Sequence, residues 1–579
     1  MKYYNDYSSY NSNDSIITLN SYNNKVFFNK DNNEQIIKTN RNIFNDTVVI
    51  DNNNNVINVI NRTSDKIIGI LYCNSSTVYD INSKGNKSFL FKPLDRKYNE
   101  FIVSTSYKGK DKIYVLIEFL KWEINNKLPI GNIIHIIGPL GILENEQQVL
   151  LHKYNLKHKQ RVITKEQISY HKNIINNLQE EQTIYNVFSI DPIGCLDIDD
   201  AFSFKKYVDF FVIGIHIADL SSFISNYNEY INQPSSIYLI DNVINMINRN
   251  YSNNIVSLLE NNKRKSLSVL FYYNYNYDLL KTSVKELVVN VIKNYNYDEA
   301  DKIIVNNNKN IKINNDLIDL NYFSNKIFNN EIVDTHILVE KWMILSNYKI
   351  GELLYNYDKK NTILRTHNIK DEFIDYSKYN IPNSNKLKEH IKIKSFNSAI
   401  YNINTDNVNH YALNIDYYTH FTSPIRRLVD LIIHLQLKQY INKIPLLEID
   451  NKIIDNINDF NKRLKKLKFD LDKLKIIDII QKKKFYETLC YIIGFTNNSI
   501  NIYIEEFNCE YYISLFNYKL KSLIKTELFE DKIILNYEKK NIEFKLFDSI
   551  KVRMSALLKE DFLNKKIKIK IIEPNIDFL

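Results

Sequence analysis

Hydrophobic and polar positions alternate in short runs over much of this chain. From Ile16 to Asp51, alternating segments are broken by Asn-rich turns at Asn23-Asn24 and Asp31-Asn32-Asn33, and residues 56–150 repeat the pattern. Short strands at such spacing predict small β-barrels. Residues 151–180 carry Lys and His and read as a helical connector. Tyr185 to Ile190, Ala201 to Phe204 and Phe210 to Ala218 are apolar runs of strand length, expected to be buried. Helical periodicity marks residues 450–486, where Ile453, Ile457, Phe460, Leu464, Leu467 and Leu471 recur with lysines between them. From Glu487 to Pro574 the β pattern returns, in Cys490 to Phe495, Ile500 to Ile504 and Tyr511 to Ile513. Residues 1–11 are expected to be a disordered tail. There is no coiled-coil or solenoid pattern; the only repetition is of barrel-like segments.

Composition adds bounds. The 579 residues suffice for roughly three to five domains. A net charge of +9 is compatible with nucleic acid without demanding it. Cys73, Cys195, Cys490 and Cys509 are widely separated, with neither metal-finger spacing nor a disulfide framework, so an intracellular, reducing compartment is expected. The first residues contain no apolar signal-peptide core. The most apolar short run, Ile133 to Leu143, is too short to span a bilayer. The chain is skewed towards Asn, Ile, Lys and Tyr in the manner of AT-rich coding bias. Its 42 Tyr and 30 Phe are therefore weak evidence for base stacking. Gly and Pro are scarce, which gives weight to Arg426-Arg427 beside Pro424 and to the group Pro129, Gly131, Gly138, Pro139 and Gly141.

One loop carries the chemistry. Asp191, Asp197, Asp199 and Asp200 form a D-x5-D-x-D-D pattern between predicted strands. Carboxylates crowded in this way cannot all ionise cheaply without a positive partner. Mg2+ binds through one or two carboxylates plus water and substrate phosphates, so a metal-assisted phosphodiester-cleavage site is indicated. An acidic surface turn is the plain alternative. A calcium loop fails on register, lacking Gly at its sixth position and Glu at its twelfth. A second motif lies far downstream, His420-Phe421-Thr422-Ser423-Pro424-Ile425-Arg426-Arg427-Leu428-Val429-Asp430-Leu431.

Together these motifs resemble the RNase II/RNase R family of processive exoribonucleases, the RNB-domain enzymes. Val212 to Phe223, Ser236 to Leu239, Val243 to Met246, Glu340 to Met343, Ile363 to His367 and His410 to Leu413 resemble further family blocks, all in family order. Phe91 to Arg96 and the segments around Trp122, Pro129-Ile130-Gly131 and Gly138 to Gly141 resemble the second cold-shock domain of the exosome-type eukaryotic members. The resemblance implies an α+β multidomain protein. It would have N-terminal OB-like cold-shock barrels, a central mixed α/β RNB catalytic domain and a C-terminal OB-fold β-barrel. The expected boundaries are 12–55 for a partial cold-shock-like barrel, 56–150 for a second one and 151–180 for a connector. The RNB catalytic domain is expected at 181–440, with a helical segment completing it at 441–486 and an RNA-binding OB fold at 487–579.

The same resemblance implies roles. Asp191 and Asp200 would ligate Mg2+, as one ion or two with Mn2+ able to substitute, and Asp197 would complete or orient the cluster. Asp199 would be required for cleavage but not for RNA binding. Arg426 would sit on the scissile phosphate, where its planar fork can bond two oxygens. Arg427 would contact RNA, and Tyr238 would stack on the 3′-terminal base, with a core position as its alternative. Trp122 is equally a core residue or a stacking platform; His216 and His367 are expected to be structural. The family's Glu after the second motif has no counterpart, and Asp470 or Asp472 is a candidate substitute. No PIN domain precedes the cold-shock region, which implies no endonuclease site. The implied activity is Mg2+-dependent 3′→5′ hydrolysis of single-stranded RNA to nucleoside 5′-monophosphates in RNA processing and decay. Single-stranded RNA is the expected partner, exosome core subunits are candidate partners, and the nucleus or cytoplasm is the expected location. The rival reading is a catalytically weak RNA-binding regulator, or a structural exosome subunit, with the same fold.

Overall fold

The computed structural model describes residues 15–18, 20–22, 25–30, 33–37, 41–50, 56–156, 164–166, 168–169, 185–224, 226–306, 312–367, 381–394, 397–515, 524–537, 540–557, 560 and 563–574. The expected tail at 1–11 and most of the connector at 151–180 lie outside them. The chain is a multidomain α+β protein with OB-like barrels. It divides into two compact units, one formed by Met1–Leu156 with Lys466–Leu579 and the other by Lys157–Lys465.

In the first unit, Ser15–Thr18, Thr47–Ile50 and Val56–Asn61 form a three-stranded sheet, and Asn20–Tyr22, Lys25–Lys30 and Asn33–Ile37 form another. The cold-shock-like segment is a six-stranded sheet built from residues 67–139. Alternation in Phe101–Thr105 sends Phe101 and Val103 inward, where they meet Leu71, Phe91, Val115 and Ile117. Gly69 permits a close crossing, since a Cβ there would lie 2.4 Å from the Lys92 carbonyl oxygen. Trp122 packs against this core, and its indole N–H donates to the Asn126 carbonyl at 3.1 Å. Its apolar surface is thereby used within the barrel.

The C-terminal part is a five-stranded sheet in the order Cys509–Ser514, Ser499–Ile504, Tyr486–Thr496, Ser549–Ala556, Ile567–Glu573, with a separate three-stranded sheet over residues 524–545. Its core is aliphatic, from Ile492, Ile500, Ile502, Ile550 and Val552. Three of the basic residues of this part are taken up by ion pairs. Arg553 and Lys551 pair with Glu487, and Lys566 is buried against Glu146.

The second unit is organised on a closed barrel of β1 (Tyr185–Asp191), β2 (Asp200–Lys206), β3 (Phe210–Ala218), β4 (Asn262–Asn274) and β5 (Leu279–Asn296). Neighbours are antiparallel, except that β1 closes on β5 in parallel. Every residue of β3 after Phe210 is buried, because both faces are covered. That is why these strands read as continuous apolar runs. His216 sits in this buried setting between the hydroxyls of Ser203 and Ser268, both at 2.8 Å, in keeping with a structural role.

Three helices complete the frame: α1 (Thr335–Tyr357), α2 (Leu428–Ile441) and α3 (Asn451–Lys483). Asp334 caps α1 by accepting from the Ile337 amide at 2.9 Å. Trp342 of α1 is fully buried and donates to Ser324 Oγ at 2.9 Å. The helical segment expected at 441–486 starts later, at Asn451. Residues 442–450 instead form a turn and a stretch without regular secondary structure, with Lys443 in the left-handed region at φ 57°. The residues of α3 are shared between the two units.

Candidate active site

The acidic loop joins the end of β1 to the start of β2. Asp191 ends β1 and Asp200 opens β2, so both are fixed by barrel hydrogen bonding. Between them Cys195 N bonds the Pro192 carbonyl at 3.1 Å, and Gly194 takes φ +80°. A Cβ on Gly194 would meet nothing within 4 Å. The positive φ, not crowding, is what favours glycine there.

The loop is clamped from a distant segment. Ser257 Oγ donates to the Leu196 carbonyl at 2.7 Å and accepts from the Ile198 amide at 2.9 Å. The Leu258 amide bonds the Ile198 carbonyl at 3.1 Å, and the Ala218 amide bonds the Asp199 carbonyl at 2.8 Å. These contacts fix the backbone on both sides of Asp197 and Asp199.

The second motif folds against the first. Asp199, 4% exposed, accepts from the Ile425 amide at 2.9 Å and lies 3.5 Å from Arg426 Nε. Arg426 also donates to Ser423 Oγ at 2.9 Å and leaves much of its side chain exposed. Its carbonyl accepts from the Ser236 amide at 3.0 Å and from Ser235 Oγ at 3.1 Å. This brings the Tyr238 segment alongside the motif. Tyr238 is 49% exposed, so it is not a core tyrosine, and its hydroxyl reaches Asp197 at 3.3 Å.

Burial raises the carboxyl pKa values of Asp191, Asp199 and Asp200. The charges of Asp191 and Asp200 oppose one another, while Arg426 relieves Asp199 and Asp200. Asp191 Oδ2 is buried with no hydrogen-bond partner among the described residues. An orphaned buried carboxylate oxygen beside a second carboxylate is what a hard cation would satisfy. Among the described residues no three His, Cys, Asp or Glu side chains form a ready-made cage. The donor set fits Mg2+ completed by water and substrate phosphate, not an all-protein site.

Other expected residues have different settings. Arg427 is only 21% exposed, with Nη2 bonded to Asp430 at 2.8 Å and Nη1 facing His420 Nδ1 at 3.2 Å. Asp430 is fully buried and also accepts from the Ser423 amide at 2.7 Å, so this pair braces the motif. Asp470, a candidate for the missing Glu, is engaged by Lys153 at 2.7 Å and the Tyr154 hydroxyl at 2.6 Å within the first unit. Asp472 faces Lys475 on its own helix at 3.6 Å. His367 is buried, with its ring bonded to the Asn397 carbonyl, in keeping with a structural role.

Two residues beside the acids carry no sequence signal. Tyr297 follows Asn296, the register partner of Asp191. Burial and the nearby charges of Asp200 and Asp191 push its hydroxyl up to about 12, and its ring stacks on His336 at 3.6 Å. Ser257 is the other. Strand pairing and a hydrogen bond 59 residues long in sequence place them, and neither leaves a local pattern.

Among the described residues no helix is long and apolar enough to cross a membrane. The four cysteines are unpaired, three of them buried.

The RNB domain model matches residues 177–334 and 325–443, and the Dis3-like cold-shock domain 2 model matches residues 88–155. The chain is 24% identical over 604 residues to the exosome complex exonuclease RRP44 of Mus musculus, an alignment covering 89% of this chain and 62% of that protein. It therefore spans about three-fifths of the length of this curated relative. Mycoplasma genitalium RNase R, solved with ribose-methylated single-stranded RNA, shares the fold at TM-score 0.73 and 17% identity, with 96% of this chain and all of that chain covered. Yeast Ssd1, described as a pseudonuclease, shares it at TM-score 0.63 and 14% identity over 97% of each chain. On the motif pair, the barrel that joins it and these matches, the chain carries an RNB domain behind a Dis3-like cold-shock domain 2 and is homologous to RRP44 and RNase R.

Proposed function

We propose that this protein is a 3′→5′ exoribonuclease that hydrolyses single-stranded RNA to nucleoside 5′-monophosphates in RNA processing and decay. The observation that carries the reading is the joining of Asp199 to Ile425 and Arg426. It brings a half-exposed guanidinium against the loop that carries the four carboxylates, with the half-exposed ring of Tyr238 bonded to Asp197. An RNA-binding protein without activity has no need of that many acids, which repel phosphate.

Asp191 and Asp200 are the residues that would hold Mg2+, and Asp197 orients the cluster through Tyr238. When bound, the ion would polarise the scissile phosphate and favour deprotonation of water. Arg426 places donors where charge builds on the phosphate oxygens. Asp199 aims that guanidinium and adds the negative charge that the site needs to attract a cation. Tyr238 offers a face on which any base can stack, which suits an enzyme without sequence preference. RRP44 is described as an exosome complex exonuclease. Exosome core subunits are accordingly the candidate protein partners for this chain.

The fold is also that of a pseudonuclease, so the rival reading is an RNA-binding protein that does not cleave. Incubating purified protein with end-labelled RNA, with and without Mg2+, separates the two. Mononucleotide release that requires the ion supports the enzyme. Stable binding without cleavage at any Mg2+ concentration supports the rival.

A further inference from the structure

Beside the bracing pair Arg427–Asp430 lies a second cationic cluster that the chemistry above does not use. It consists of Arg365, at the end of the strand Ile363–Thr366, with Tyr401 and His420. The Arg365 guanidinium lies 4.8 Å from the centre of the Tyr401 ring, a cation–π distance. The Tyr401 hydroxyl in turn meets His420 Nδ1 at 2.6 Å. Tyr401 is buried, so it holds both partners in place.

Two features of this cluster point to a ligand. The first is the state of His420. Arg427 Nη1 faces the same Nδ1 at 3.2 Å, and a guanidinium can only donate. Nδ1 is therefore the acceptor, the Tyr401 hydroxyl donates to it, and the ring proton sits on Nε2. Burial, with Arg427, Arg365 and Arg426 around it, keeps this imidazole neutral by holding its pKa well below the usual range. Its Nε2–H has no protein acceptor among the described residues, and the residue is largely but not fully buried. The second feature is charge balance. Arg426 faces Asp199 and Arg427 faces Asp430. Arg365 faces no carboxylate among the described residues; its guanidinium meets the ring and the hydroxyl of Tyr401. A stacked guanidinium with no counter-ion among the described residues, beside a fixed N–H donor, is suited to an anionic oxygen.

We propose that Arg365 and His420 Nε2–H form a phosphodiester-binding subsite next to the scissile-phosphate position at Arg426. This rests on the reading that the chain binds RNA, and it names which linkage-holding side chains act apart from the acids. Because the donor is a neutral imidazole with a fixed tautomer, the subsite keeps its grip across the neutral pH range. Tyr401 is a positioning residue, since it acts through the other two.

The test is a linkage scan. A short 5′-fluorescein single-stranded RNA is prepared with one methylphosphonate at each of its 3′-proximal linkages in turn. Its affinity for the full chain is read by anisotropy in EDTA, where cleavage is suppressed. In wild type, the methylphosphonate at the contacted linkage should weaken binding about tenfold, the loss expected for one charge-assisted hydrogen bond. In Arg365→Met that same methylphosphonate should cost nothing further, and the salt slope of log K should flatten by about 0.7. His420→Asn keeps an acceptor near the Nδ1 position and loses the outward donor, so it should behave like Arg365→Met. His420→Gln restores a donor near the Nε2 position and should recover the linkage effect. If Arg365→Met melts early, Arg365→Lys is read by the same comparison and should show a reduced linkage effect. Equal methylphosphonate penalties in wild type and variants overturn the subsite, as does uniform weakening at every linkage. Failure of wild type to bind the unmodified RNA brings down the RNA reading itself, and it is visible before any variant is compared.

Discussion

The Asp199 carboxylate accepts a hydrogen bond from the Ile425 amide at 2.9 Å, across 226 residues of chain, while its other oxygen lies 3.5 Å from Arg426 Nε. One buried side chain thus holds the two motifs together. It joins a backbone contact that fixes the loop to an ionic contact that aims the cation.

Asp199→Asn should abolish hydrolysis and leave RNA affinity nearly unchanged. Asparagine keeps an acceptor for the Ile425 amide, so the loops stay docked. It removes the negative charge opposite Arg426. Single-turnover cleavage and anisotropy on the same preparation check this; cleavage at the wild-type rate would remove Asp199 from the chemistry.

Arg426→Lys should lower kcat by about 10²–10³, equivalent to roughly 2.7–4 kcal/mol of transition-state stabilisation. The guanidinium reaches Ser423 Oγ through Nη2 while Nε faces Asp199. A single ammonium cannot hold both and also present a fork to phosphate. The expected signature is a fall in kcat with KM little changed. A change in KM alone would mean that Arg426 serves only in binding.

Ser257→Ala should destabilise the second unit by about 1–3 kcal/mol, the cost of leaving the Ile198 amide and Leu196 carbonyl without their partner. It should also slow cleavage, because the released backbone carries Asp197 and Asp199. Urea unfolding and a kcat measurement test the two parts. An unchanged kcat with lowered stability would mean that the clamp serves folding alone.

Lys566→Met should destabilise the first unit by about 3–5 kcal/mol. The Lys566 ammonium, 1% exposed, is paired with Glu146. Glu146 also accepts from the Tyr114 hydroxyl at 3.0 Å and the Gly141 amide at 2.9 Å. Removing the cation leaves that carboxylate buried and uncompensated. Adding Glu146→Gln should recover part of the loss, read by thermal melting of both variants.

What was legible in the sequence was what is local. The acidic loop and the second motif are contiguous, and the apolar runs that flank the loop are barrel strands because both their faces are covered. Tyr238 could be named as a base platform only by resemblance, since a core position looked the same in sequence; its exposure distinguishes the two. Ser257 and Tyr297 were not legible. Each is an ordinary residue placed at the site by a long-range clamp or by strand register. Arg427 shows the converse. Its neighbour Arg426 has the same side chain and motif, yet helix α2 starts at Leu428 and directs Arg427 onto Asp430. The basic residues after Glu487 suggested a groove by composition alone, and pairing with Glu487 and Glu146 takes up three of them.

The central claim is that four clustered carboxylates and Arg426 make a 3′→5′ hydrolytic site. The most direct test follows single-stranded RNA, labelled at either end in parallel, with purified full-length protein in EDTA and over a Mg2+ titration. The account predicts no cleavage in EDTA. With Mg2+, 3′-labelled mononucleotide should be released at once and a short 5′-labelled end product should accumulate, while circular RNA stays intact. RNA that is bound but left whole at every Mg2+ concentration, or circular RNA that is cut internally, would contradict it.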